Sequence, residues 1–222
     1  MEKVSVAKLV EFRRKTENSK RTFINNLKKP TEHSEGGGGD YWITSVSAIS
    51  GAFRLNSNQP IHDKIEELVE KKRQAPAKIT KDMFQRNIDI LNGFTNFNMA
   101  ELKPELKMNF IPIGTTTIQI NNIPIQIRPQ RVFTFEDKGI KKVGAIWFVA
   151  KLGGFKNEEI GLFSESLYKH LEFNFSKDYE IDFRFCLSLD VVTCIAVKYE
   201  QIANGDVTPL LDTTIASIKR FL

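Results

Sequence analysis

Residues 115–152, TTTIQINNIPIQIRPQRVFTFEDKGIKKVGAIWFVAKL, constrain the fold more than any other stretch of the chain. Period-2 apolar residues rich in β-branched types, separated by turn residues, predict three consecutive strands. The first reversal is expected at Asn121-Asn122, ahead of Pro124. The second is expected at Glu136-Asp137-Lys138-Gly139, where Gly139 can take the positive φ of a tight hairpin. The third strand, Val143 to Ala150, is almost continuously apolar, as a strand covered on both faces would be, and this makes it the expected centre of a sheet.

The rest of the chain reads as helices around that block. Before Pro30 the pattern gives two helices or one broken helix, with Ser5 as N-cap and Val6, Leu9, Val10, Phe12, Phe23, Ile24 and Leu27 inward. Gly36 to Gly39 interrupt it and read as a linker, because Asp40-Tyr41-Trp42 follows where a phosphate loop would need Gly-Lys-Ser/Thr. Asp40 is expected to cap a helix carrying Trp42, Val46, Ile49 and Phe53. Pro60 opens a second helix with Ile61, Ile65, Leu68 and Val69 on one side, acidic at its start and basic at its Lys71-Lys72-Arg73 end. Thr80 caps a third, bearing Met83, Phe84, Ile88, Leu91 and Phe94. Residues 103–108 read as a linker, with strand character beginning at Asn109. After the strand block, Gly153-Gly154 leads into a helix capped by Asn157, Phe183 to Val197 gives one further strand, and Thr208-Pro209 opens a last helix with Leu211, Ile215, Ile218 and Leu222 inward.

The fold class that follows is α+β. A helical N-terminal region over 1–100 packs on a mixed sheet over 101–222, as two units or as one continuous domain. With 222 residues, 41% hydrophobic and 27% charged, the chain can bury a substantial core. There is no apolar leader and no run of about 18 apolar residues, so a cytoplasmic protein without membrane partners is expected. Cys186 and Cys194 on a single strand would stand roughly 27 Å apart on one face, which excludes a disulfide and makes both buried apolar residues. His33, His62 and His170 form no zinc-like spacing, and no metal or other cofactor is expected.

A net charge of +5 permits a polyanionic partner without requiring one. The runs at Arg13-Arg14-Lys15, Lys20-Arg21, Lys28-Lys29, Lys71-Lys72-Arg73 and Lys138/Lys141/Lys142 are either solvated helix ends and turns or a phosphate-facing surface.

From Thr80 onward the expected order is helix, three strands, helix, strand, helix. This order resembles the PD-(D/E)XK nuclease fold, the family of restriction endonucleases and RecB-like or Cas4-like exonucleases. In that family the second strand begins with Pro-Asp and the third ends with Asp/Glu-x-Lys. Here Pro129 matches, but Gln130 replaces the aspartate. Lys151 matches, but Val149 replaces the second acid. Two carboxylates are needed to hold the divalent cation that activates water, and neither an amide nor an isopropyl group supplies that charge. The resemblance therefore implies a nuclease-like scaffold without its catalytic pair.

Three functions stay open on the sequence. The first is a non-catalytic module that binds nucleic acid, DNA or RNA, or a partner protein in a bacterial nucleic-acid-related system, with Arg128, Arg131, Lys151, Lys141 and Lys142 as candidate contacts. The second is a protein-interaction or structural subunit that does not touch nucleic acid. The third is a magnesium-dependent nuclease with relocated carboxylates, Asp190 and Glu158 being the candidates, since Asp190 lies among apolar neighbours where its charge needs a partner. No Gly-x-Ser-x-Gly elbow supports a serine nucleophile.

Overall fold

The computed structural model describes residues 3–28 and 41–222. The expectations for Pro30, His33, Gly36 to Gly39 and Asp40 lie outside the described residues. The chain runs β1 (Val4–Ser5), α1 (Val6–Arg14), α2 (Glu17–Lys28), α3 (Ile43–Leu55), α4 (Gln59–Gln74) and α5 (Lys78–Phe94), then a 3-10 turn at Met99–Leu102. It continues through β2 (Asn109–Ile111), β3 (Thr117–Ile120), β4 (Ile123–Gln126), β5 (Arg131–Asp137), β6 (Ile140–Val149) and α6 (Asn157–Phe175). The remainder is β7 (Glu180–Asp190), β8 (Ile195–Lys198), α7 (Tyr199–Ala203) and α8 (Leu211–Lys219). The α+β class is therefore the one the residue pattern led to.

Two sheets form. The larger has the order β2-β5-β6-β7-β8, with β6 at its centre and parallel to β7, and every other pair antiparallel. The smaller has the order β1-β4-β3. The expected second strand is thus two strands, β4 and β5, in different sheets. Pro129 has no amide hydrogen to give a ladder, so pairing stops before it and resumes at Arg131. Along the large sheet the order is α5, β2, β5, β6, α6, β7, with the β3–β4 hairpin inserted after β2.

Turn chemistry follows the residues. Asn121 and Asn122 both take positive φ, as do Lys138 and Gly139, which suits the twist of the two hairpins. The expected single strand from Phe183 to Val197 is instead a hairpin. Its turn holds Cys194 at φ 57, so Cys194 is half-buried in a turn while Cys186 is fully buried in β7. The two cysteines do not share a strand face, and the separation drawn from one continuous strand does not apply.

Burial divides the core between the two faces of the large sheet. Phe133, Phe135, Ile146, Phe148, Leu187 and Leu189 face α3, α4 and α5 through Ile49, Phe53, Leu68, Ile88, Leu91 and Phe94. Val132, Val143, Ala145, Trp147 and Val149 face α6 through Leu162, Phe163, Leu167 and Leu171, in a cluster that also takes in α1, α8 and the small sheet. Helix ends differ by one to three residues from the expected caps. Lys156 rather than Asn157 occupies the N-cap of α6, α5 starts at Lys78 ahead of Thr80, and α8 starts after Leu210. Val69 and Leu222, expected inward, are exposed.

One irregularity shapes the sheet centre. The β6–β7 register runs Val143↔Ile181 and then Ala145↔Cys186, so Gly144 alone faces Asp182 to Phe185. A Cβ at Gly144 would lie 2.8 Å from the Phe185 carbonyl and 2.8 Å from Cε2 of Phe133. Only glycine lets the bulged backbone of β7 come this close.

Candidate functional site

The start of β5 and the end of β6 lie side by side, because Arg131 pairs with Ile146. Beside them opens a cleft of about 380 Å³. Its walls come from Ser5 to Ala7 of the β1–α1 junction, from Trp42 ahead of α3 with Ile43 and Val46 within it, from Trp147 to Val149 of β6 with Ala150 after it, and from Phe155 and Phe163. Gln126, Arg128 and Gln130 complete it. Among the described residues no aspartate or glutamate lines this cleft, and Arg128 is the single charged one that does. It is an aromatic-walled site with a few polar groups, the usual make-up of a ligand cleft.

Each polar group has a defined role. The Gln130 amide oxygen accepts from the Phe148 amide at 2.7 Å, bridging the entry of β5 to the end of β6 where ladder pairing has stopped. An amide serves there as a structural acceptor and brings no charge. Arg128 is exposed, and with the Gln126 amide turned to face it, its Nε and Nη2 donate to the Gln126 oxygen at 3.3 and 3.0 Å. Lys151 and Arg14 both approach the Phe155 ring, each 6.0 Å from its centroid. Arg14 also forms a two-pronged ion pair with Glu159, Nε to Oε1 at 2.5 Å and Nη2 to Oε2. Burial is the strongest single influence on Glu159 and opposes its ionisation, yet Arg14 and the Lys156 amide at 2.9 Å together hold its pKa below the usual value.

The five candidate basic residues do not form one surface. Arg128 and Lys151 stand at the cleft end of the sheet. Lys141 and Lys142 stand at the other end of β6, and ten residues of extended chain separate Lys141 from Lys151 by roughly 33 Å. Lys141 is exposed, whereas Lys142 is committed to Asp137 (3.2 Å), Asp182 (3.5 Å) and Glu180 (3.6 Å), and its bond to Asp137 leads in raising its pKa. Arg131 is half-buried, its Nε has no partner among the described residues, and burial followed by the nearby Arg54 charge lowers its pKa. Much of the remaining basic surface is also engaged. Lys71 pairs with Glu67, Arg73 with Glu70, Lys15 with Glu11 and Lys20 with Glu17, all within one turn of helix or its flank.

The acidic candidates separate as well. Register sets Asp190 directly beside Val149, the position where the family pattern has its second acid. Its side chain is fully buried, and it neither faces solvent nor takes an arginine. Oδ2 accepts from the Phe155 amide at 2.7 Å and Oδ1 from the Val192 amide at 3.0 Å, so the carboxylate fastens the loops that follow β6 and β7. Glu158 is exposed in the first turn of α6, where it complements the helix dipole. Among the described residues no group of three or more His, Cys, Asp or Glu side chains is placed to hold a metal ion, and no helix is long and apolar enough to cross a membrane.

The cleft's aromatic wall and its floor from the β1–α1 junction were not foreseen from the sequence. Trp147 reads as core in a buried strand, and nothing local in Ser5 to Ala7 signals a contact with residues beyond 120. A scan of protein-family models and searches of curated proteins and of solved structures found no match to this chain.

Proposed function

We propose that the chain is a non-catalytic binding module on a nuclease-like scaffold, engaging nucleic acid through the cleft at the end of β6 in a bacterial nucleic-acid-related system. One observation carries this reading. The cleft lies where Gln130 and Val149 stand in for the two acids of the family pattern, and among the described residues it is lined by aromatic residues and one arginine with no carboxylate. Of the aromatic lining residues Trp42 and Phe155 are partly exposed and can stack on unstacked bases, and Arg128 with Lys151 beside Phe155 supplies charge for the backbone. A hydrolytic centre would need two carboxylates around a cation. Asp190, the acid nearest in register, already spends both oxygens on backbone amides.

The test is a gel-shift titration with single- and double-stranded DNA and RNA at low and moderate salt, with and without magnesium. Retention should weaken with salt and no cleavage should occur. Arg128→Ala and Lys151→Ala should each lower the salt slope by about 1, while Lys142→Met should leave it unchanged. Absence of retention at low salt refutes the reading, and magnesium-dependent cleavage lost in Asp190→Asn would replace it with the relocated nuclease.

A protein partner is favoured by a different observation. Ile43, 62% exposed, lines the cleft, and Leu152, 66% exposed, follows Lys151. If nucleic acid is not retained, these side chains mark the same cleft as a protein-docking surface.

A further inference from the structure

Lys103 lies in the segment that reads as a linker, yet it is a nine-tenths buried cation, 9% exposed. It follows the 3-10 turn and projects into a pocket of about 240 Å³ between the end of α3 and the start of α4. The other lining residues include Asn56, Ser57, Asn58 and Asn98, with the apolar floor given by Ala52 and Phe97, and no carboxylate among the described residues lines it.

An ammonium group has three N–H donors and one full charge to satisfy. One donor reaches the Asn56 amide oxygen at 2.9 Å, and Nζ also stands 4.7 Å from the centroid of the Phe53 ring. Neither partner carries a charge. Among the described residues Lys103 forms no ion pair; Glu101, two positions earlier, is exposed and receives the Asn98 amide at 3.3 Å. Buried charges are ordinarily paired, because their desolvation costs several kcal/mol. Burial accordingly lowers the Lys103 pKa with no opposing influence.

The surroundings favour a negative charge as well. Asn58 is the N-cap residue of α4, but its side chain makes no capping bond and donates instead to the Thr95 carbonyl at 2.9 Å. The N-terminal end of α4 lies beside the pocket and brings the partial positive charge of its dipole, while its first amides are already engaged, Gln59 on Ser57 Oγ and Ile61 and His62 on the Asn58 carbonyl. Ser57, an exposed lining residue, accepts from the Gln59 amide through Oγ at 3.2 Å, a bond that does not use its hydroxyl hydrogen. A buried ammonium, a serine hydroxyl and the positive end of a helix dipole border a space that no carboxylate among the described residues lines.

We propose that this pocket is a binding site for a small oxyanion of the phosphate class, with Lys103 as its counter-charge. The ligand is a free phosphate or a terminal phosphate presented on a larger molecule. The site is separate from the Arg128 cleft and does not depend on what that cleft binds.

The full chain is heated by differential scanning fluorimetry in sodium phosphate against sodium chloride of matched ionic strength. Phosphate should raise Tm along a saturating curve. Lys103→Met, which keeps the stem and removes the charge, should weaken the apparent affinity about tenfold or more. Asn56→Asp sets a carboxylate on Lys103 at a left-handed position that aspartate tolerates, and it should abolish the response even if Lys103→Met proves poorly folded. A phosphate-dependent shift equal in wild type and both variants would be the general stabilisation that phosphate gives any protein and would overturn the proposal, as would no shift beyond chloride. A 5′-phosphorylated oligonucleotide compared with its unphosphorylated form identifies the source. A Lys103-dependent gain from the 5′-phosphate points to a phosphate end, and a response to inorganic phosphate alone points to the free ion.

Discussion

Gly144→Ala tests whether the bulge in β7 is held by the absence of a side chain at Gly144. The added methyl would sit 2.8 Å from the Phe185 carbonyl and 2.8 and 2.9 Å from Cε2 and Cζ of Phe133. Carbon atoms in contact want about 3.5–4.0 Å, so at least one neighbour must withdraw by most of an ångström. The carbonyl belongs to the bulged backbone. The Phe133 ring is fully buried and touches Phe53, Phe110 and Phe135, so it cannot swing aside without moving them. Overpacking of this kind costs about 1–3 kcal/mol, which for a chain of this size lowers Tm by about 2–12 °C. Urea unfolding followed by circular dichroism measures it. Gly144→Val should cost more than Gly144→Ala, since two further methyls meet the same walls. At Gly139, by contrast, φ is 81° and nothing lies within 4 Å of an added Cβ, so Gly139→Ala should cost only the left-handed strain of about 1–2 kcal/mol and show no growth from Ala to Val beyond β-branching. A Gly144→Ala loss below about 0.5 kcal/mol, or a flat response from Ala to Val, would refute the close-approach argument.

Further outcomes follow from buried polar contacts. His170 is fully buried, with Nε2 donating to the Ile113 carbonyl at 2.6 Å and Nδ1 accepting from Asn174 at 3.3 Å, and burial, only partly opposed by that carbonyl, lowers its pKa. The unfolded chain then takes up a proton first as pH falls below about 6.5, so stability should drop by up to about 1.4 kcal/mol per pH unit on the acid side. Subtracting the pH profile of His170→Gln isolates this contribution, and parallel profiles would refute it. Arg14→Met strands the nearly buried Glu159 carboxylate and should cost about 1–2 kcal/mol in urea unfolding, a figure discounted because Arg14 is about one-third exposed. Glu159→Gln should cost less, since it leaves no buried charge behind.

What the sequence made legible was set by local chemistry. β6 stood out because a continuous apolar run flanked by Lys141-Lys142 and Lys151 fits a covered strand and little else. The Asn121-Asn122 and Lys138-Gly139 reversals were readable because those residues tolerate positive φ. The β7–β8 turn was hidden because Val191-Val192-Thr193-Cys194 contains no glycine, proline or asparagine, and its one local signal was Asp190, which accepts the Val192 amide two residues on as an Asx turn. The division of β4 from β5 was missed, although Pro129 stands at the break, and their assignment to different sheets is a tertiary fact. At the candidate site the structure places Gln130 and Val149 in one cleft, which the residue pattern did not describe. The pattern could not pair Lys142 with three acids drawn from β5 and β7, nor reveal that Lys103, in an apparent linker, is buried.

The pairing of Val4 and Ser5 with Ile125 and Gln126 has a consequence for how the chain is made. The partner strand is synthesised about 120 residues later, which at 5–20 residues per second is a wait of roughly 6–24 s. Throughout that interval Val4, Val6, Leu9, Val10 and Phe12, all buried in the finished fold, have no sheet or α6 to cover them. The nascent segment from Val4 to Phe12 is thus an exposed apolar stretch during translation, the kind of surface that chaperones engage, and the cleft whose wall it helps to form cannot close until β4 to β6 have emerged.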